Sequence, residues 1–156
     1  MIIYFSQTNN TRAIATKMQS LLNEQAYEIQ PETPYTNDDL NWRNNQSRAN
    51  IEQDDDNKRP AIATALPDLS SENDIYLGMP LWWGKAPRII QTFIEQANLT
   101  GKTVHLFCTS GSSPIEPALQ LLQAQYPQIH WKGAKRFENS ATESTISNWL
   151  HEINEK

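Results

Sequence analysis

An α/β fold with a five-stranded parallel sheet and helices on both faces follows from three observations. Short continuous apolar runs recur along the chain, amphipathic helical stretches fall between them, and no internal repeat is visible. Runs this short and continuous suit strands buried on both sides. The alternation β-α-β-α-β-α-β-α-β-α then calls for crossover connections in a three-layer sandwich. At 156 residues the chain reads as one domain, 1–156, long enough to bury a core.

The first strand is placed at Ile2–Phe5, and the helix behind it carries Ile14, Met18, Leu21 and Leu22 at helical spacing. Ala26–Ile29 is the second strand. From Pro31 to Asp74 the chain is polar and irregular, with Asp54-Asp55-Asp56 in a run. A second helix is expected somewhere in Asp38–Lys58, followed by an extended stretch through Pro60 and Pro67. The aspartate run reads as solvated surface, since consecutive residues point in different directions. Ile75–Met79 is the third strand. Pro87 opens the next helix near its first turn, with Ile89, Ile90, Phe93, Ile94 and Ala97 along one stripe. Val104–Cys108 is the fourth strand, and the helix after it carries Ile115, Ala118, Leu119 and Leu122. A weaker run, Ile129–Trp131, gives the fifth strand. The last helix carries Ile146, Trp149, Leu150 and Ile153, with Ser140-Ala141-Thr142-Glu143 as its capping box.

Composition excludes several classes. The net charge is -5 with no Lys/Arg stripe, so neither nucleic acid nor an anionic membrane surface is an expected partner. The single cysteine, Cys108, rules out a disulfide framework and fits a reducing cytoplasm. No stretch approaches a transmembrane span and no signal peptide is expected, so the protein is expected in the cytoplasm.

The chemistry concentrates in three loops. Ser6-Gln7-Thr8-Asn9-Asn10-Thr11 joins the first strand to the first helix, and every side chain in it donates a hydrogen bond while none is acidic. A helix N-terminus behind such a turn adds unpaired N–H groups and the positive end of its dipole, which suits a phosphate. The plain alternative is an ordinary capped helix start, with Thr8 or Asn10 as N-cap. Neither G-x-x-x-x-G-K-[ST] nor G-x-G-x-x-G occurs. Ser6 and Arg12 keep the spacing of a Cys-x5-Arg phosphatase loop, but the thiolate nucleophile is missing. In an open parallel sheet of order 2-1-3-4-5, the loops after strands one, three and four converge beyond the carboxyl ends. Here the other two are Pro80–Ala86, with adjacent indoles beside a glycine, and the hydroxyl-rich Thr109–Ser113. An anion cradle opposite an aromatic platform suits a planar heterocycle on a phosphorylated tail.

Three motifs in register carry a resemblance. Tyr4-Phe5-Ser6-Gln7-Thr8-Asn9-Asn10-Thr11 is similar to a Y-F-S-x-T-x-N-T start, and Gly78 to Pro87 to a G-x-P-x-W-W-G-x-x-P loop. Cys108-Thr109-Ser110-Gly111-Ser112-Ser113 is similar to C-T-S-G-x-S. The chain thus resembles the flavodoxin superfamily, in its W-W-G loop branch, over almost its whole length. The resemblance implies a flavodoxin-like sandwich that binds FMN without a covalent link. Ser6, Gln7, Thr8, Asn9, Asn10 and Thr11 would hold the phosphate. Pro80, Leu81, Trp82, Trp83 and Gly84 would pack against the isoalloxazine, and Thr109, Ser110, Gly111 and Ser112 would pass beside its pyrimidine end. The family usually has glycine where Asn9 stands, a position needing positive φ that Asn tolerates best among the other residues.

Trp83 is the indole expected to face the ring, because it adjoins Gly84. Cys108 and His105 are expected in the core. The function follows as electron transfer or oxidoreduction, with FMN-dependent NAD(P)H:quinone-type chemistry on small acceptors as the alternative. A module that has lost FMN is disfavoured by the intact phosphate donors. Lys85 and Arg88 beside the second loop, with no acid in Pro80–Arg88 or Thr109–Ser113, argue against a carrier of very low potential. Expected partners are FMN with NAD(P)H or a redox protein, the chain acting as a monomer or homodimer.

Overall fold

Ten elements alternate strand and helix within residues 1–154, which the computed structural model describes. They are β1 (Ile2–Tyr4), α1 (Asn10–Leu22), β2 (Ala26–Glu28), α2 (Arg48–Asp54), β3 (Asp74–Pro80), α3 (Arg88–Ala97), β4 (Thr103–Thr109), α4 (Glu116–Gln125), β5 (His130–Phe137) and α5 (Glu143–Asn154). All strand pairs are parallel, and the sheet order is β2-β1-β3-β4-β5. This is the doubly wound, flavodoxin-like order on which the convergence of the three loops depends. Among the described residues, no helix is long and apolar enough to cross a membrane.

Alternation along the strands divides the core between the two faces. Ile2, Tyr4, Tyr76 and Phe107 pack with Ile14 and Met18 of α1 and with Ile146 and Trp149 of α5. Ile3, Phe5, Leu77, Met79, Leu106 and Cys108 pack with Ile89, Ile90 and Phe93 of α3 and Leu122 of α4. Full burial of each large apolar side chain contributes on the order of 1.5–3 kcal/mol, so both layers hold the sheet firmly. A Cβ at Gly78 would lie 2.2 Å from Cζ of Phe107, so β3 passes β4 at that point only as glycine. The first glycine of the W-W-G loop motif is therefore a packing requirement.

Several boundaries differ from the sequence reading. The fifth strand runs His130–Phe137 and so includes Lys132, Lys135 and Arg136, which the apolar run missed. It is an edge strand, where charged side chains are common because one side meets water. Leu21 is exposed, and the buried stripe of α1 is Thr11, Ile14, Ala15 and Met18. The expected capping box is displaced: Thr142 Oγ1 accepts from the Thr145 N–H at 3.3 Å, while Glu143 is already the first helical residue. Pro87 and Ile115 are the residues just ahead of α3 and α4, outside the helices. The second helix falls in the expected window but spans only seven residues. After it, Pro31 and Ile62 form an antiparallel bridge, which carries the extended stretch alongside the chain leaving β2.

Candidate functional site

Because β1 lies between β2 and β3, the chain departs β1 and β3 toward opposite faces, and a crevice opens beyond their ends. A cleft of about 410 Å³ stands there. Gln7 and Thr8 line it from the first loop, Pro80 to Gly84 from the second, and Ser113 from the third. Leu40, Trp42, Ala49 and Asn50 close it from the segment between β2 and β3. No side chain in this lining is charged.

At one end the first loop forms a cradle of backbone donors. Asn9 adopts the left-handed conformation, φ 69°, as its position requires, and it is the residue just ahead of α1. It makes no side-chain cap, and neither Thr8 nor Asn10 takes that role. Instead Ser6 Oγ reaches forward to accept the Arg12 N–H at 3.2 Å. Among the described residues, the N–H groups of Thr8, Asn9, Asn10 and Thr11 have no acceptor. A left-handed residue followed by a helix start turns such groups into a concave donor nest, favourable to an anion.

Not every side chain of the turn is free. Ser6 is buried, and Thr11 is buried with its Oγ1 2.8 Å from Thr109 Oγ1, which ties the first loop to the third. Thr8 and Asn9 are exposed, with Asn10 Nδ2 donating to Thr8 Oγ1 at 3.2 Å. Arg12 does not line the cradle. Its Nε and Nη2 donate to the two oxygens of Glu28 at 2.7 and 2.6 Å, and it also bonds Asn9 Oδ1. Burial alone would raise the Glu28 carboxyl, but hydrogen bonds from Arg12 and Tyr4 outweigh it and hold the group below its ordinary value.

At the other end the second loop splits its two indoles. The Trp82 N–H donates to the Lys85 carbonyl at 2.9 Å and the Lys85 N–H returns to Trp82 at 3.1 Å. Trp83 (φ 54°) and Gly84 (φ 73°) fill the two-residue turn between them, both left-handed, as a tight mirror-image turn demands. For a tryptophan this backbone costs about 1–2 kcal/mol. Trp82 packs edge-on to Phe5 at 5.7 Å and to Tyr35 at 5.3 Å, on the core side. Trp83 is 59% exposed and stands out at the cleft.

The short helix α2 is bolted to this loop through polar groups. Gln53 Nε2 donates to the Trp82 carbonyl at 2.9 Å and to that of Ala86 at 3.3 Å. Arg88 Nε donates to the Glu52 carbonyl, and Arg88 Nη2 to the Gln53 carbonyl and Asp56 Oδ1, at 2.7–3.2 Å. Arg88 is buried, which corrects the sequence reading of a free cation beside the ring: its charge is committed to α2. Lys85 is exposed and outside the cleft lining.

Of the third loop, only Ser113 lines the cleft. Thr109 is engaged with Thr11, Ser110 Oγ donates to the Ser113 carbonyl at 2.7 Å, and Gly111 and Ser112 are exposed beyond the lining. Cys108 is fully buried, and burial pushes its thiol up to about 12, consistent with an inert core filler. His105 is buried at the amino end of the sheet, away from the cleft, with Nε2 3.0 Å from Asp74 Oδ1. The sequence reading missed Leu40, Trp42, Ala49 and Asn50. A tryptophan inside an otherwise polar stretch was the one available signal.

The order of the sheet, the donor nest and the aromatic cleft define a doubly wound α/β protein whose switch point carries an uncharged, partly aromatic cleft. The family profile described as Flavodoxin matches residues 1–153, and the chain belongs to that family. A protein of Bacteroides uniformis ATCC 8492, provisionally assigned as a flavoprotein, is 40% identical with a TM-score of 0.93, covering 97% of this chain and 96% of that one. Its counterpart in Bacteroides eggerthii DSM 20697 is 39% identical with a TM-score of 0.93, covering 99% and 97%. A flavoprotein of Lactobacillus acidophilus NCFM, solved in complex with FMN, is 21% identical with a TM-score of 0.75, covering 96% of each chain, a likeness of fold. No curated protein sequence matches the chain.

Proposed function

We propose that the protein binds FMN in the cleft and serves electron transfer or oxidoreduction, as a single-domain cytoplasmic protein. The observation that carries this reading is the row of four unpaired N–H groups at the start of α1, at one end of a cleft whose other end is aromatic. The donor set fits a phosphate: these N–H groups lie in one turn with the hydroxyl of Thr8, and no carboxylate stands in the cleft lining that Thr8 joins. Bound FMN supplies one- and two-electron redox chemistry. The chain's own groups orient it. The nest fixes the phosphate, and Leu81, Trp82 and Trp83 offer apolar surface that excludes water from a flat ring.

The uncharged lining favours the second reading, an NAD(P)H:quinone-type oxidoreductase acting on small acceptors. Carboxylates at the ring would penalise the negative charge gained on full reduction, and none lines this cleft. Titrating FMN into the purified protein and following the flavin absorbance tests cofactor binding, which the proposal expects to saturate at one per chain. No binding overturns it. Steady-state oxidation of NADPH with a quinone then separates enzyme from carrier.

A further inference from the structure

We propose that Trp42, held in register with Trp83 by the buried Asn50, forms a second wall of the site for the flat isoalloxazine ring. The inference rests on the FMN reading above and adds residues from the segment between β2 and β3.

Trp42 and Trp83 are each 59% exposed and both line the cleft. Their ring centroids are 6.0 Å apart and their planes meet at 84°. Perpendicular indoles make a corner. A flat ring stacked on one meets the edge or face of the other, so it loses the freedom to slide that a single platform leaves it. The Arg43 guanidinium lies over the Trp42 ring, 5.0 Å from its centroid, which helps to hold that indole in place.

Asn50 is what makes the corner rigid. It is 5% exposed, and each hydrogen-bonding group of its side chain goes to one purpose. Oδ1 accepts the Trp83 indole N–H at 2.6 Å, while Nδ2 donates to the Trp42 carbonyl at 2.9 Å and the Asn44 carbonyl at 2.8 Å. The direction of the amide is fixed by chemistry, since an indole N–H only donates and a carbonyl only accepts. One buried amide therefore links the strained W-W-G turn to the loop that carries Trp42. Two large indoles left in water, one of them on a left-handed backbone, make sense as surface reserved for a ligand. Asn50 is a positioning residue, and Trp42 and Trp83 make the contact.

The test titrates FMN, riboflavin and lumiflavin, which share the ring and differ in the tail, into the parent, Trp42→Ala and Asn50→Leu. Trp42→Ala should weaken all three by a similar factor, about three- to ten-fold, leaving the FMN-to-riboflavin ratio unchanged. It should also reduce quenching of bound-flavin fluorescence. Asn50→Leu should weaken all three, and that loss should vanish in a Trp42→Ala/Trp83→Ala background. A parent that binds FMN while Trp42→Ala leaves lumiflavin affinity unchanged overturns the inference and leaves the FMN reading intact. An Asn50→Leu loss that persists without the indoles shows that Asn50 acts through the fold, which also overturns its role. A parent that binds no flavin overturns the FMN reading and this inference together.

Discussion

The turn at Ser6–Thr11 is assembled from six consecutive residues at the junction of β1 and α1, whereas α2 meets the second loop and the start of α3 through hydrogen bonds spanning 29 to 36 positions. The first wall of the cleft is built from local geometry: one left-handed Asn, one cap from Ser6, and the free end of a helix. The second is built from long-range polar clamps in which Gln53 and Asn50 satisfy backbone and indole groups of a strained turn, and Arg88 binds the Glu52 and Gln53 carbonyls of α2. A local device tolerates changes elsewhere in the fold. A clamp of buried polar groups is satisfied as a whole or fails as a whole.

The difference predicts an order of sensitivities. The largest effect should come from Arg88→Met, which strips the donors from the buried Glu52 and Gln53 carbonyls. We expect a stability loss of about 3 kcal/mol in urea denaturation. A loss under about 1 kcal/mol would mean that the second wall is not clamped in this way.

Next comes Asn9, where φ is 69°. Asn9→Ala should cost about 1–2 kcal/mol, while Asn9→Gly should be near neutral, since glycine occupies left-handed space freely. Equal losses for the two would detach the effect from backbone conformation. Ser6→Ala should cost about 1 kcal/mol, because the Arg12 N–H loses its acceptor.

The smallest effect is electrostatic. Glu28 titrates below its ordinary value in the folded protein. At acid pH the unfolded chain therefore binds the proton first, and the stability contributed by Glu28 is present above its unfolded pKa of 4.5 and lost as pH falls through the lower folded value. Melting temperature measured from pH 6 to 3 should show this loss, and Arg12→Met should flatten it. The contribution should stay under about 1 kcal/mol, as Arg12 is partly exposed.

The same contrast explains what the sequence disclosed. The strands β1, β3 and β4 are continuous apolar runs, and the first loop carries its donors and its left-handed Asn in adjacent positions, so both were legible. The buried face of α2 is Ala49, Asn50, Glu52 and Gln53, which gives no apolar period to detect. Its partners are backbone groups of another loop, and nothing in local spacing points to them. Arg88 looked free for the same reason, since the carbonyls that accept from it and the Asp56 carboxylate that pairs with it lie over 30 positions away. The outer part of β5 was hidden by the lysines and arginine of an edge strand.

The measurement that bears most directly on the account is the ratio of FMN to riboflavin affinity for the unmodified protein. The two ligands differ only in the phosphate that the unpaired N–H groups of Thr8 to Thr11 are proposed to hold. Losing even one charge-assisted hydrogen bond is worth about 1.5–3 kcal/mol, so riboflavin should bind at least about ten-fold more weakly. Equal affinities would contradict the account, because the turn would then not be the anchor.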